Sequence, residues 1–159
     1  MEAKDRVRRT LAIPLIVVAS FCAYSQKCHA IQEPSEYARL KELTLEERHD
    51  VFREYPMETQ IKVYLYASTA VHPPQIEYAY DIAREGKDAL EALNETLRQE
   101  TSGLNQERLF YVYEVMSKFY YPVNTDEKTI ALLSEVASKT APPYQDRIQS
   151  SLKKILDVK

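Results

Sequence analysis

The amino-acid sequence predicts an all-α protein built from antiparallel helix pairs, and three observations carry that expectation. From Ser35 onward the apolar residues recur at the three- and four-residue spacing of a buried helix face. The breaks between these stretches carry proline, which is tolerated in the first turn of a helix and not inside it. Only two glycines occur in 159 residues, too few for the turns of a sheet protein. The length allows one domain, and a composition of 45% hydrophobic and 28% charged residues excludes collagen, disorder and a disulfide scaffold.

The first thirty residues are expected to be a signal peptide. Lys4, Arg6, Arg8 and Arg9 form a basic start, and Leu11 to Ala23 is an apolar run interrupted only by Pro14 and Ser20. That run is shorter than the roughly 20 residues needed to cross a hydrocarbon core, so export with cleavage is expected, to the periplasm or outside the cell, with no stable membrane span afterwards. Cys28-His29-Ala30 supplies small residues for a cleavage that leaves 31–159 as a single domain. A lipidated Cys22 is the alternative, but Phe21 stands before it where a small residue belongs. Cleavage after Ala30 removes both cysteines, and with them five basic and two acidic residues. Sixteen basic and twenty-two acidic residues remain, a net charge of −6 against −3 for the whole chain. No basic stripe survives, so no nucleic-acid partner is expected.

The elements follow in order. Thr44 and Glu47 form a capping box that opens a helix running to about Tyr55. Pro56 opens the next, with the stripe Ile61, Tyr64, Leu65, Ser68 and Val71. After His72-Pro73-Pro74, a helix over about 75–85 stops at Gly86, a natural C-cap. Asp88 starts a helix that buries Leu90, Leu93 and Leu97 and ends before Gly103. The longest predicted helix, Leu104 to Tyr121, is apolar almost all round: its stripe runs from Leu109 to Phe119 and Tyr120, and Glu114, Ser117 and Lys118 form a narrow polar strip, so it should be central. Asn124 with Glu127 caps a helix carrying Ile130, Leu133 and Val136. Pro142-Pro143 introduces a last helix with Ile148, Leu152, Ile155 and Leu156. The pairs should begin near Leu45, Gln75 and Leu104, a spacing of about thirty residues that falls in the range of helical repeats.

The stretch Ala79-Tyr80-Asp81-Ile82-Ala83-Arg84-Glu85-Gly86-Lys87-Asp88-Ala89-Leu90-Glu91-Ala92-Leu93 resembles the inner turn of a HEAT or armadillo-like repeat. The resemblance covers this pair closely and the rest of 45–156 by pattern alone, without an arginine and aspartate ladder. It implies a short, curved α-solenoid that binds other proteins and has no catalytic residues; a closed helical bundle is the alternative architecture.

Chemistry-bearing constellations are sparse, and no enzyme, metal site or cofactor is expected. Glu46-x-x-His49 matches a di-iron helix spacing but lacks its second copy and two further glutamates, so His49 should lie on a solvated helix face. His72, before two prolines, should be a loop residue with its ring held by a local hydrogen bond. No Gly-x-Ser-x-Gly and no glycine-rich phosphate cradle occurs. Paired acids such as Glu91 and Glu95 should be the wet face of a helix, the alternative being a carboxylate-dependent hydrolase.

Tyrosine is the surplus, with eleven after Ala30. Tyr64-x-Tyr66, Tyr78-x-Tyr80 and Tyr111-x-Tyr113 each put two rings about 200° apart on a helix, one inward and one outward. The expected function is that of an exported, non-catalytic protein-binding module, an adaptor or inhibitor in the cell envelope, with Tyr66, Tyr80, Tyr111 and Tyr113 as candidate binding residues; a tethered structural envelope component is the other alternative. The partner would be another protein.

Overall fold

The computed structural model describes residues 32–158, so the expected signal peptide, Cys22 and the cleavage site lie outside the described residues. Eight α-helices and one 3-10 turn make up the described chain, without a strand among them. The protein is all-α. They are α1 (Ser35–Leu40), α2 (Leu45–Arg53), α3 (Met57–Thr69), α4 (Tyr78–Arg84), α5 (Lys87–Gln99), α6 (Gly103–Phe119), α7 (Glu127–Lys139) and α8 (Gln145–Leu156), with the 3-10 turn at Val123–Thr125.

Local signals set most of the boundaries. At α2 both halves of the capping box form: the Thr44 N–H donates to Glu47 Oε2 at 2.9 Å, and Thr44 Oγ1 accepts from the Glu47 N–H at 3.4 Å. Pro56 stands immediately before α3, where its missing N–H is no loss. Gly86, at φ 56°, follows α4 and turns the chain into α5.

Three expected boundaries move, each for a visible reason. Residues 75–77 stay outside α4 because the Gln75 N–H bonds the Ala67 carbonyl at 3.0 Å and Tyr37 donates to the Gln75 side chain at 3.2 Å. The cap of α7 is Asp126, whose Oδ1 accepts from the Thr129 N–H at 2.9 Å; Asn124 instead donates to the Val158 carbonyl at 2.7 Å. Gly103 is the first residue of α6, not a cap of α5, and its bare Cα lies against Tyr144: a Cβ there would come within 2.6 Å of that ring.

The helices stack in two layers. α2, α4, α6 and α8 follow one another side by side, and so do α1, α3, α5 and α7; the layers meet through α1 with α2, α3 with α4, α5 with α6 and α7 with α8. The pairing is therefore shifted by one helix from the expected one. The helices of residues 79–97 follow one another through Gly86, yet α4 packs chiefly on α6 and α5 on α3. α6 is central as expected, packed on α4, α8, α3 and α5, and it buries Leu109, Phe110, Val112, Tyr113, Val115 and Met116.

Buried polar groups tie the layers together, because a buried donor or acceptor must find a partner. Tyr113 donates to Asn94 Oδ1 at 2.8 Å and Asn94 Nδ2 donates to Thr129 Oγ1 at 2.9 Å, which joins α6, α5 and α7. Tyr64 of α3 donates to the Arg108 carbonyl of α6 at 3.0 Å. Ser117, expected on a polar strip, is buried and donates to the Ile155 carbonyl of α8 at 3.3 Å.

Candidate protein-binding face

The Tyr-x-Tyr motifs divide as the helical period requires. Tyr64, Tyr78 and Tyr113 are buried, whereas Tyr66 and Tyr111 are half-buried and Tyr80 is exposed. Burial raises the phenol pKa of Tyr78 to about 12 and pushes those of Tyr64 and Tyr113 further up. Tyr113 thus belongs to the core, where its whole ring is out of water, and it leaves the set of candidate contact residues.

The other three do not share one surface. Tyr80 on α4 and Tyr111 on α6 adjoin: burial raises the Tyr111 phenol to about 12, and the neighbouring Tyr80 hydroxyl adds to that rise. Tyr66 on α3 packs against Tyr37 of α1 at 5.0 Å between ring centroids, and lines a separate groove with Pro34, Ile61 and Leu65.

Around Tyr80 the outer side of the α4–α6–α8 layer carries an aromatic patch, completed by Phe119 and Tyr120, which the sequence pattern assigns to the apolar stripe of α6. The Phe119 ring lies 6.2 Å from Tyr80 and 6.2 Å from Tyr120, and these three residues are 39% (Tyr80), 55% (Phe119) and 41% (Tyr120) exposed. Phe119 continues the α6 stripe by spacing, but the helix ends there, with the Tyr120 and Tyr121 N–H groups both on the Met116 carbonyl. A stripe position is buried only if a neighbouring helix extends to cover it. Leu156 is likewise exposed, at the end of α8.

Next to the patch, a groove of about 290 Å³ between α6 and α8 is lined by Ile76, Tyr111, Glu114, Arg147 and Lys154 among others. Two ion pairs lie in it: Arg147 bonds Glu107 Oε1 at 2.9 Å, and Lys154 reaches both Glu114 oxygens at 2.9 and 3.1 Å, with Ser151 on the same carboxylate at 3.1 Å. Arg108 also lines the groove, and among the described residues it has no carboxylate partner and its buried Nε has no hydrogen-bond partner.

His49 departs from expectation. Its Nδ1 pairs with Asp81 Oδ2, and Asp81 is buried with Arg53 Nε 3.9 Å from its other oxygen. The ring also packs on Tyr78 at 5.4 Å. The pairing holds α2 to α4 rather than leaving His49 on a solvated face. The signal for Asp81 was present as one acid within the apolar run Tyr78 to Ala83, but its partner lies 32 residues away. His72 is exposed in the loop, without the expected side-chain hydrogen bond among the described residues.

On the α3–α5 side, Glu58, Asp88, Glu91 and Glu95 border an open groove of about 810 Å³ and are exposed, as acids on a wet face are. Among the described residues no cluster of three or more His, Cys, Asp or Glu could hold a metal ion. No helix among them is long and apolar enough to cross a membrane. Comparison with protein-family models, with curated proteins and with solved structures returned no match for this chain.

Proposed function

We propose that this chain is a non-catalytic protein-binding module of HEAT-like α-solenoid type, exported to the cell envelope, and that it binds its partner protein through the outer side of the α4–α6–α8 layer. One observation carries the reading: Tyr80, Phe119 and Tyr120 stand together in water as one aromatic patch. Contiguous exposed aromatics mark interaction surfaces, because rings bury wide apolar area on binding at small entropic cost. The side-by-side order of alternate helices supports the solenoid over the closed bundle, since in a repeat array each helix packs on its counterpart one repeat away. The contact set is accordingly Tyr80, Tyr111, Phe119 and Tyr120, with Tyr66 on a second surface.

The test is a crosslinked pull-down with the full chain from its own cell-envelope extract, in parallel with Tyr80→Ala and Phe119→Ala. A stoichiometric partner that both substitutions release, with circular dichroism and Tm unchanged, supports the module. A partner retained equally by all three chains, or recovery of the chain alone, overturns it.

A further inference from the structure

The charges at the edge of the aromatic patch indicate what kind of segment it takes. α4 and α6 run side by side to the same end: a Cβ on Gly86 would lie 3.5 Å from that of Tyr121. Arg84, one turn beyond Tyr80 on the same face of α4, therefore lies toward the end that α4 shares with α6. Lys118 lies over the Phe119 ring, its ammonium 5.0 Å from the centroid. Both cations are exposed, and among the described residues neither has a carboxylate within ion-pair distance. The acids of the neighbouring groove, Glu107 and Glu114, are taken by Arg147 and Lys154. The surroundings are not uniformly basic: Glu77 and Glu85 lie on either side along α4, and Asp157 borders the hollow beside Lys118. In a chain whose net charge is negative, one cation nevertheless lies against the rings and a second lies one helical turn from Tyr80, both without acid partners among the described residues.

We propose that the Tyr80–Phe119–Tyr120 patch takes an apolar segment of a partner protein that carries carboxylates beside its apolar anchors, with Arg84 and Lys118 as their counter-charges. The rings supply the buried area, and the two cations select the sign of what flanks it, since rim charges act mainly on specificity and encounter rate. This inference rests on the proposed binding face and adds the chemistry of its occupant. An anionic membrane surface is the competing occupant; a broad surface would also meet the surrounding acids Glu77, Glu85 and Asp157, whereas a short segment need meet only the two cations.

The probe is a library of random twelve-residue peptides displayed on phage, selected against the full chain and against the double variant Arg84→Glu with Lys118→Glu. The expected result is enrichment of peptides with aromatic or aliphatic anchors flanked by Asp and Glu. Phe119→Ala should abolish their binding and added salt should weaken it. The charge-reversed chain should lose affinity for them by about tenfold and instead enrich peptides flanked by Lys and Arg.

Peptides that need Phe119 but show no acidic bias, or keep it on the charge-reversed chain, overturn the charge assignment and leave the binding face standing. In that case the two cations serve only the C-terminal helix dipoles. Peptides indifferent to Phe119→Ala, or no enrichment at all, overturn both the assignment and the face. Binding to phosphatidylglycerol vesicles that both variants abolish, with no peptide enriched, overturns them in favour of a membrane surface.

Discussion

α5 and α6 follow one another in the chain and differ in how completely the fold uses them. α5 buries Ala89, Leu90, Leu93, Asn94 and Leu97 on one side and keeps Asp88, Glu91, Glu95 and Arg98 in water. α6 packs on helices to both sides, yet at its C-terminal end Phe119 and Tyr120 remain in water. An amphipathic helix whose apolar side is fully covered has only stability to contribute. A helix with more apolar surface than the fold covers has a remainder, and its place shows where a partner would add stability of its own.

The largest expected effect separates the middle of α6 from its C-terminal end. Phe110→Ala removes a fully buried ring and should cost about 3–5 kcal/mol in urea denaturation. Phe119→Ala, nine positions on, removes a ring 55% exposed and should change stability by no more than about 0.5 kcal/mol. Similar losses at both positions would show that something in the folded chain covers Phe119, and the comparison would fail.

Next comes the tie between α2 and α4, a region where the sequence pattern misleads. His49→Ala leaves the buried Asp81 carboxylate with Arg53 alone, 3.9 Å from its nearer oxygen, and should cost about 3 kcal/mol. The double substitution with Asp81→Asn should recover part of that loss, because no uncompensated buried charge remains. A loss near zero for His49→Ala would return His49 to the solvated face that its acidic neighbours suggest.

These cases define what was legible in the sequence. The all-α class was legible, and so were the capping box at Thr44 and Glu47, the Leu90, Leu93 and Leu97 stripe, and the alternation of the Tyr-x-Tyr rings, because each depends on neighbours within one or two turns. The pairing of the helices, the ends at which a stripe runs out of cover, and the His49–Asp81 contact depend on which elements meet in space. Tyr113 shows the limit within one motif: the period says that one ring of Tyr111-x-Tyr113 points inward, and only the neighbours of α6 decide which.

The third effect uses alkali to separate buried from outward tyrosines. Burial raises the phenols of Tyr64 and Tyr113 well above their ordinary 10, while an unfolded chain releases those protons near 10. The sign follows: this stability is present in full below pH 10 and is lost as pH climbs above it. The slope is roughly 1.4 kcal/mol per pH unit for each phenol that only the folded chain keeps protonated. Chemical denaturation between pH 9 and about 12 should therefore show a shallower decline for Tyr113→Phe than for the wild type. An unchanged slope for Tyr113→Phe would place that ring outside the core.

The smallest effect lies in the chain of bonds that ties α5 to α6. Tyr113 of α6 donates to Asn94 of α5, Asn94 donates to Thr129 of α7, and the Thr129 N–H is held by the Asp126 cap. Asp126 thus fixes the turn that presents Thr129, and its carboxyl is held below the ordinary range chiefly by that backbone N–H. Asp126→Ala should cost about 1 kcal/mol at neutral pH. Because the folded carboxyl is the stronger acid, this contribution is present above its unfolded pKa, near 4, and disappears as pH falls below it. The difference in stability between wild type and Asp126→Ala should accordingly shrink toward zero in acid. Asn124→Ala should show no such pH dependence, since the Asn124 amide holds only the Val158 carbonyl. An acid-sensitive loss at Asn124 and none at Asp126 would put the cap two residues earlier. Thr129 would then lack the fixed turn that aims it at Asn94, and the polar link between the fully used helix and the one with surface to spare would have to be drawn elsewhere.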